Sequence, residues 1–242
     1  MYCFVGDLSG FQKIVQNLSL GQQDVRIKQW IDLVESTARK CDLADFKLVS
    51  DMVIAITQEN PEGIDTLIKF SRLLLEDGLR FNLPLRGAIA QGDVKMSDQI
   101  AYGRALVDAY QLATEQNWLG VSVRHGVTGL KTIWDIEKLI VYPSPLKKGY
   151  TRLLPVVVWT IPPTTDLIKL TLGEGLSQDY DIIEWEYTNK INNTVIFSLY
   201  LKLLMENEKA TRKKIEPSKF FGFTPLEIIE HKIEGHKLDI MK

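Results

Sequence analysis

The sequence has little of what several common chemistries need. Its 242 residues include two cysteines, Cys3 and Cys41, and three histidines, His125, His231 and His236. Two isolated thiols exclude a disulfide framework and point to a reducing compartment. The histidines form no metal motif: His231 and His236 are five apart, so they do not share a helix face as an i, i+4 pair does. No G-x-x-x-x-G-K-[ST] run occurs, and GLSQDY and TLGEG are glycine-containing turns rather than phosphate loops. Neither sign of charge dominates: 29 Lys and Arg face 31 Asp and Glu, for a net charge of -2. That balance argues against nucleic acid as a partner, and KATRKK from Lys209 is read as a solvated helix end. The most apolar later stretch, LLPVVVWTIPP from Leu153, is far shorter than the roughly 20 residues of a membrane span. The start lacks a basic region and is interrupted by Asp7, so no signal peptide is expected. There is no internal repeat and no low-complexity segment. The expectation is a soluble, cytoplasmic protein with no membrane partner.

What is present is an ordinary globular composition, 45% hydrophobic and 25% charged. MYCFVG suits a short buried strand, and Phe11, Ile14, Val15 and Leu18 recur at helical spacing after Gly10. A helix is predicted from Asp24 to Lys40, with Trp30, Ile31 and Val34 inward. DFKLVSDMVIAIT, from Asp45, suits a hairpin with Asp51 at or near its tip. A helix over Gly63–Phe81 follows, with Ile64, Leu67, Ile68, Leu74 and Leu75 inward. Then come a strand from Leu83, a helix from Tyr102, and strands from Gly120 and Leu153. This order predicts an α+β fold with a ferredoxin-like core: a mixed or antiparallel sheet with helices on one side. The character changes near Pro162. Residues 1–162 are assigned to one core domain and 163–242 to a helical extension packing on that core or on a partner chain. The extension holds one long helix from Ile182 and a last helix opened by the TPLE capping box at Thr224.

Asp7 closes the first strand and Asp51 sits at the hairpin tip. If the two strands are neighbours, both carboxylates project at one sheet edge and repel unless a cation joins them. Oxygen ligands without nearby histidine or thiolate suit Mg²⁺ or Mn²⁺. Ser9, Gly10 and Phe11 lie at a helix mouth, where free amides favour phosphate. The competing readings are ordinary: Asp7 as a helix N-cap and Asp51 as a turn residue. Together the features point to metal-assisted phosphoryl transfer on a nucleotide.

Four pieces resemble the class III nucleotide cyclases in order and spacing: FVGDLSGF, KLVSD at Lys47–Asp51, LRGAIAQGDV at Leu85–Val94 and YGRALVDAYQLA at Tyr102–Ala113. They span about residues 1–125. The resemblance implies head-to-tail homodimers with active sites at the subunit interface. It also implies conversion of a nucleoside triphosphate to a 3′,5′-cyclic monophosphate and pyrophosphate with two Mn²⁺ or Mg²⁺ ions per site. Asp7 and Asp51 match the metal carboxylates, the Leu8 backbone is a further ligand, and Lys47 matches the lysine that reads the base.

The sequence then departs from the purine enzymes of that family. Their base-reading Asp corresponds to Ile100, and their Asn and Arg to Val107 and Gln111. A dead enzyme, a compensating enzyme and a different substrate each explain this. ALVDAY in this helix and the later PLKK…VVVW segment, Pro145–Trp159, look like the pyrimidine cyclases of bacterial anti-phage Pycsar systems, whose cyclic UMP or cyclic CMP activates a separate effector protein. Arg104 and Gln111 are candidates to replace the missing arginine or to hold ribose; Arg86 is another candidate, or simply pairs with a surface acid. Lys147 and Lys148 either reach the triphosphate or stay in solvent. Lysine is a donor only, so a Lys47 contact favours the O4 carbonyl of uracil, and UTP over CTP. The rival readings are a purine cyclase with unfamiliar selectors and a non-catalytic nucleotide sensor.

Overall fold

A computed structural model describes residues 1–160 and 185–211. The chain falls into two compact units, Met1–Leu203 and Leu204–Lys242. The boundary expected at residue 162 and the helix expected at TPLE lie outside the described residues, as do His231 and His236.

The first unit begins β1 (Tyr2–Leu8), α1 (Phe11–Asn17), α2 (Leu20–Lys40), β2 (Phe46–Val49), β3 (Met52–Thr57), α3 (Pro61–Arg80) and β4 (Leu85–Gln91). These strands lie in the order β2-β3-β1-β4, and β1 is antiparallel to both neighbours. That is the ferredoxin-like pattern the element order predicts. The sheet continues through β7 (Val121–Val123), β9 (Thr151–Val157) and β8 (Leu139–Pro145), giving seven strands with one parallel pair, β4 with β7. Between β4 and β7 come a small hairpin, β5 (Lys95–Met96) with β6 (Ala101–Tyr102), and the helix α4 (Arg104–Glu115). A short α5 (Leu130–Ile133) follows β7, and α6 (Trp185–Thr211) is the last described helix.

Alternation along the strands decides what each face meets. Cys3 and Val5 of β1, Ile54 and Ile56 of β3, and Ala88 and Ala90 of β4 form one cluster with Ala105, Ala109, Leu112 and Ala113 of α4. Residues of the other parity face α3, where Phe4 meets Phe70 edge-on with centroids 5.8 Å apart. Helices therefore occupy both faces of the sheet rather than the one side expected, because α4 has its own apolar stripe to bury. Gly87 explains how Phe4 fits: a Cβ there would lie 2.7 Å from the Phe4 ring and 2.8 Å from the Val5 carbonyl.

Local signals account for several boundaries. Asn60 accepts the Gly63 amide at 2.7 Å, and Pro61 opens α3. Its five predicted inward residues are all buried. In α2, the Ser19 amide donates to Gln22 Oε1 at 3.0 Å, so the helix begins at Leu20 rather than Asp24. Ile31 of α2 is exposed, and Leu33, Thr37 and Ala38 join Trp30 and Val34 in the interior. The sequence reading missed β8, whose LIVYPSP run carries two prolines; it is the edge strand of the sheet, where a missing N–H is tolerated. Within the first unit, α6 inserts Phe197 between Trp118 and Tyr142, with ring centroids 4.7 and 4.8 Å away. Thr194 Oγ1 accepts the Leu119 amide at 2.9 Å, and Asn193 Nδ2 donates to the Asn117 carbonyl at 2.7 Å. No described helix is long and apolar enough to cross a membrane.

Candidate active site

The hairpin forms as its sequence predicts. Ser50 takes a left-handed φ of 58°, β2 and β3 close around it, and Asp51 follows in the turn. β3 then runs beside β1 with Asp7 opposite Met52, and the Leu8 amide donates to the Asp51 carbonyl at 3.2 Å. Asp7 and Asp51 thus share one corner of the sheet. Their proximity is felt electrostatically. The Asp51 carboxyl is pushed above its ordinary value, first by burial and then by the Asp7 charge. Its own backbone amide, the Ser50 hydroxyl and Arg86 pull it partly back.

Across the other side of β1, Asp7 faces Arg86 on β4. Arg86 donates through Nε to Asp7 Oδ2 at 2.9 Å, and its Nη2 lies 2.9 Å from the same oxygen. Nη1 donates to the carbonyls of Gln116 at 2.9 Å and Thr114 at 3.3 Å, at the C-terminal end of α4. Of the two readings of Arg86, substrate contact or partner of an acid, the structure shows the second, with the acid Asp7 and the side chain buried. Asp7 Oδ1 has no partner among the described residues.

Lys47 is level with Ile54, on the same face as Asp7. Its Nζ donates to the carbonyls of Ser97 at 2.5 Å and Asp98 at 2.6 Å, in the turn between β5 and β6. Two of its three N–H donors are therefore used. The expected phosphate turn is only partly free. The Ser9 amide donates to the Pro84 carbonyl at 2.7 Å, whereas those of Gly10 and Phe11 have no partner among the described residues. Gly10 has φ 87°, which suits glycine, but α1 is only seven residues long, so its dipole is small. Ser9 Oγ, two residues beyond Asp7, is buried and has no partner among the described residues.

The structure does not bring Arg104 to the carboxylates. The Ala105 amide donates to the Asp93 carbonyl at 3.1 Å, so α4 starts beside the far end of β4 and finishes beside Arg86. Arg104 stands one helix length, about 17 Å, from that finish. Its side chain is 82% exposed and 3.6 Å from Asp108, which also pairs with Arg124 at 3.3 Å. Ile100 and Val107 are 56% and 52% exposed, and Gln111 is exposed one turn before Thr114. Lys147 and Lys148 line a separate cleft of about 780 Å³ with Asn117, Tyr150 and Asn193, and neither Asp7, Asp51 nor Arg86 borders it.

Sequence reasoning missed Gln116. Fully buried, it donates from Nε2 to the Gly87 carbonyl at 2.6 Å and accepts at Oε1 from Trp118 Nε1 at 2.9 Å and Ser122 Oγ at 2.6 Å. Its only signal was a polar residue just after a helix and before an apolar run.

The donor set fits a hard divalent cation. It is all oxygen, the two carboxylates repel, and one oxygen of Asp7 is open. Among the described residues no group of three or more His, Cys, Asp or Glu gathers, so a cation here would need oxygens from elsewhere to complete its shell.

No family model matches the chain, and no curated protein does. Among solved structures, it is similar to the adenylyl cyclase CyaB from P. aeruginosa, with 15% identity over 66% of this chain and 94% of that one and a TM-score of 0.46. A dimeric guanylyl cyclase domain of the RhoGC fusion protein from Blastocladiella emersonii gives 11% identity over 66% and 94%, with a TM-score of 0.49. The guanylate cyclase domain of RhGC from Catenaria anguillulae, in complex with GTP, gives 10% identity over 65% and 95%, with a TM-score of 0.45.

Proposed function

We propose that this chain is a cytoplasmic, class III type nucleotide cyclase that converts UTP, in preference to CTP, to the 3′,5′-cyclic monophosphate and pyrophosphate. The observation that carries the proposal is the pairing of Asp7 with Asp51 at the corner of β1 and β3, two mutually repelling carboxylates on an oxygen-only site.

Asp7, Asp51 and the Leu8 carbonyl would hold Mn²⁺ or Mg²⁺, two ions per site. When bound, such ions lower the pKa of the ribose 3′-hydroxyl and neutralise polyphosphate charge. The chain's own residues do the rest by positioning. The Gly10 and Phe11 amides receive a phosphate oxygen. The remaining Lys47 donor meets the base, where uracil offers an acceptor and cytosine an amino group. Because Arg104 of one chain stands at the far end of α4 from its own carboxylates, a second copy supplies it: the active unit is a homodimer with its sites at the interface. Exposed Val107 and Tyr110 on α4 are suited to that contact. The cyclic nucleotide would act on a separate effector protein in anti-phage defence, as the Pycsar resemblance implies.

The test is a product assay with Mn²⁺ and each of ATP, GTP, CTP and UTP. Cyclic UMP and pyrophosphate are expected, and Asp7→Ala and Asp51→Ala should abolish both while leaving folded protein. A cyclic purine would keep the carboxylate roles and refute the base assignment. Nucleotide binding without pyrophosphate release would leave a sensor.

A further inference from the structure

Arg86 is placed where a cation would otherwise balance Asp7. Both its Nε and Nη2 converge on Asp7 Oδ2, and Nη1 holds the Gln116 and Thr114 carbonyls. The side chain is 9% exposed. It cannot swing away without uncapping the end of α4, where a cation is favoured. Two carboxylates and one guanidinium leave the corner with a single negative charge, too little to hold a divalent ion tightly without further anionic oxygens.

We infer that Arg86 is a positioning residue that acts as a built-in counter-ion. It turns Asp7 so that Oδ1 alone faces the site, and it keeps affinity for a lone divalent cation low, so that the cation enters with the polyphosphate. This rests on the carboxylate-pair reading above. Without nucleotide, the corner is half neutralised by a fixed charge rather than by a scavenged ion. With nucleotide, the phosphates supply both the missing charge and the missing ligands.

The probe is Mn²⁺ alone, its free fraction followed by electron paramagnetic resonance as protein is added. Wild-type protein should bind weakly, and Arg86→Met should bind about tenfold more tightly, because one nearby positive charge is gone. Arg86→Lys, which keeps the charge, should stay close to wild type. A merely structural arginine predicts the opposite, since loosening Asp7 weakens binding. Equal or weaker Mn²⁺ binding by folded Arg86→Met therefore overturns the inference. Should that variant not fold, inorganic tripolyphosphate added to wild type decides. Protein-bound Mn²⁺ should rise cooperatively with it, and independent binding overturns the proposal. Asp51→Asn separates the two levels. If its loss of carboxylate changes Mn²⁺ uptake under no condition, the metal reading itself falls. If uptake depends on Asp51 but not on Arg86 charge, only the counter-ion role falls.

Discussion

Asp51 bears its charge at a disadvantage. Burial and the Asp7 carboxylate both raise its pKa, so the folded state holds the Asp51 proton more tightly than the unfolded state does. For a raised carboxyl the folded protein is favoured at low pH, and that advantage is lost as pH rises from the ordinary carboxylate range through the raised value. Asp51→Asn should therefore raise the neutral-pH melting temperature by about 1–3 °C while abolishing turnover. Thermal scans across pH should show the gain vanish on acidification. A variant less stable than wild type at pH 7 would mean that Asp51 is a turn residue whose charge costs nothing. The thiols stand in contrast: burial pushes Cys3 up to about 12, which fits an inert core thiol.

Among the elements, the hairpin and the long helices were legible because their signals are local: a Ser-Asp turn between β-rich runs, and apolar residues at helical spacing. The edge strand β8 was not, since Pro143 and Pro145 argue against a strand until the sheet shows that it is last in line. The side on which α4 packs was equally hidden, because its stripe of Ala105, Ala109, Leu112 and Ala113 says that the helix is buried, not against which face. The first unit's share of α6 is held by aromatic packing. Phe197 has no exposed surface and touches two rings, so Phe197→Ala should cost about 3 kcal/mol of unfolding free energy. In urea the midpoint should fall with an unchanged slope. A loss below about 1 kcal/mol would mean that the helix is not seated on Trp118 and Tyr142 in solution.

At the scale of the whole molecule, the proposed homodimer follows from α4 running opposite to β4. The carboxylate corner and Arg104 cannot meet within one chain, but two copies related by symmetry can exchange them. Mixing inactive Asp51→Ala with inactive Arg104→Ala should restore about a quarter of wild-type activity, since half the dimers are mixed and each has one intact site. No recovery on mixing, with both proteins folded and dimeric, would place every needed group in one chain.

The sequence by itself determined the α+β class, the two carboxylates and the turn that aligns them, because strand ends and tight turns are written in adjacent residues. Tertiary structure alone decided that Arg86 belongs to Asp7, that Lys47 is held by the Ser97 and Asp98 carbonyls, and that Gln116 ties α4 to β4 and β7. Those pairings join residues 79, 50 and 29 positions apart. Strand register and helix direction create them, and neither is encoded in the spacing of the residues that meet.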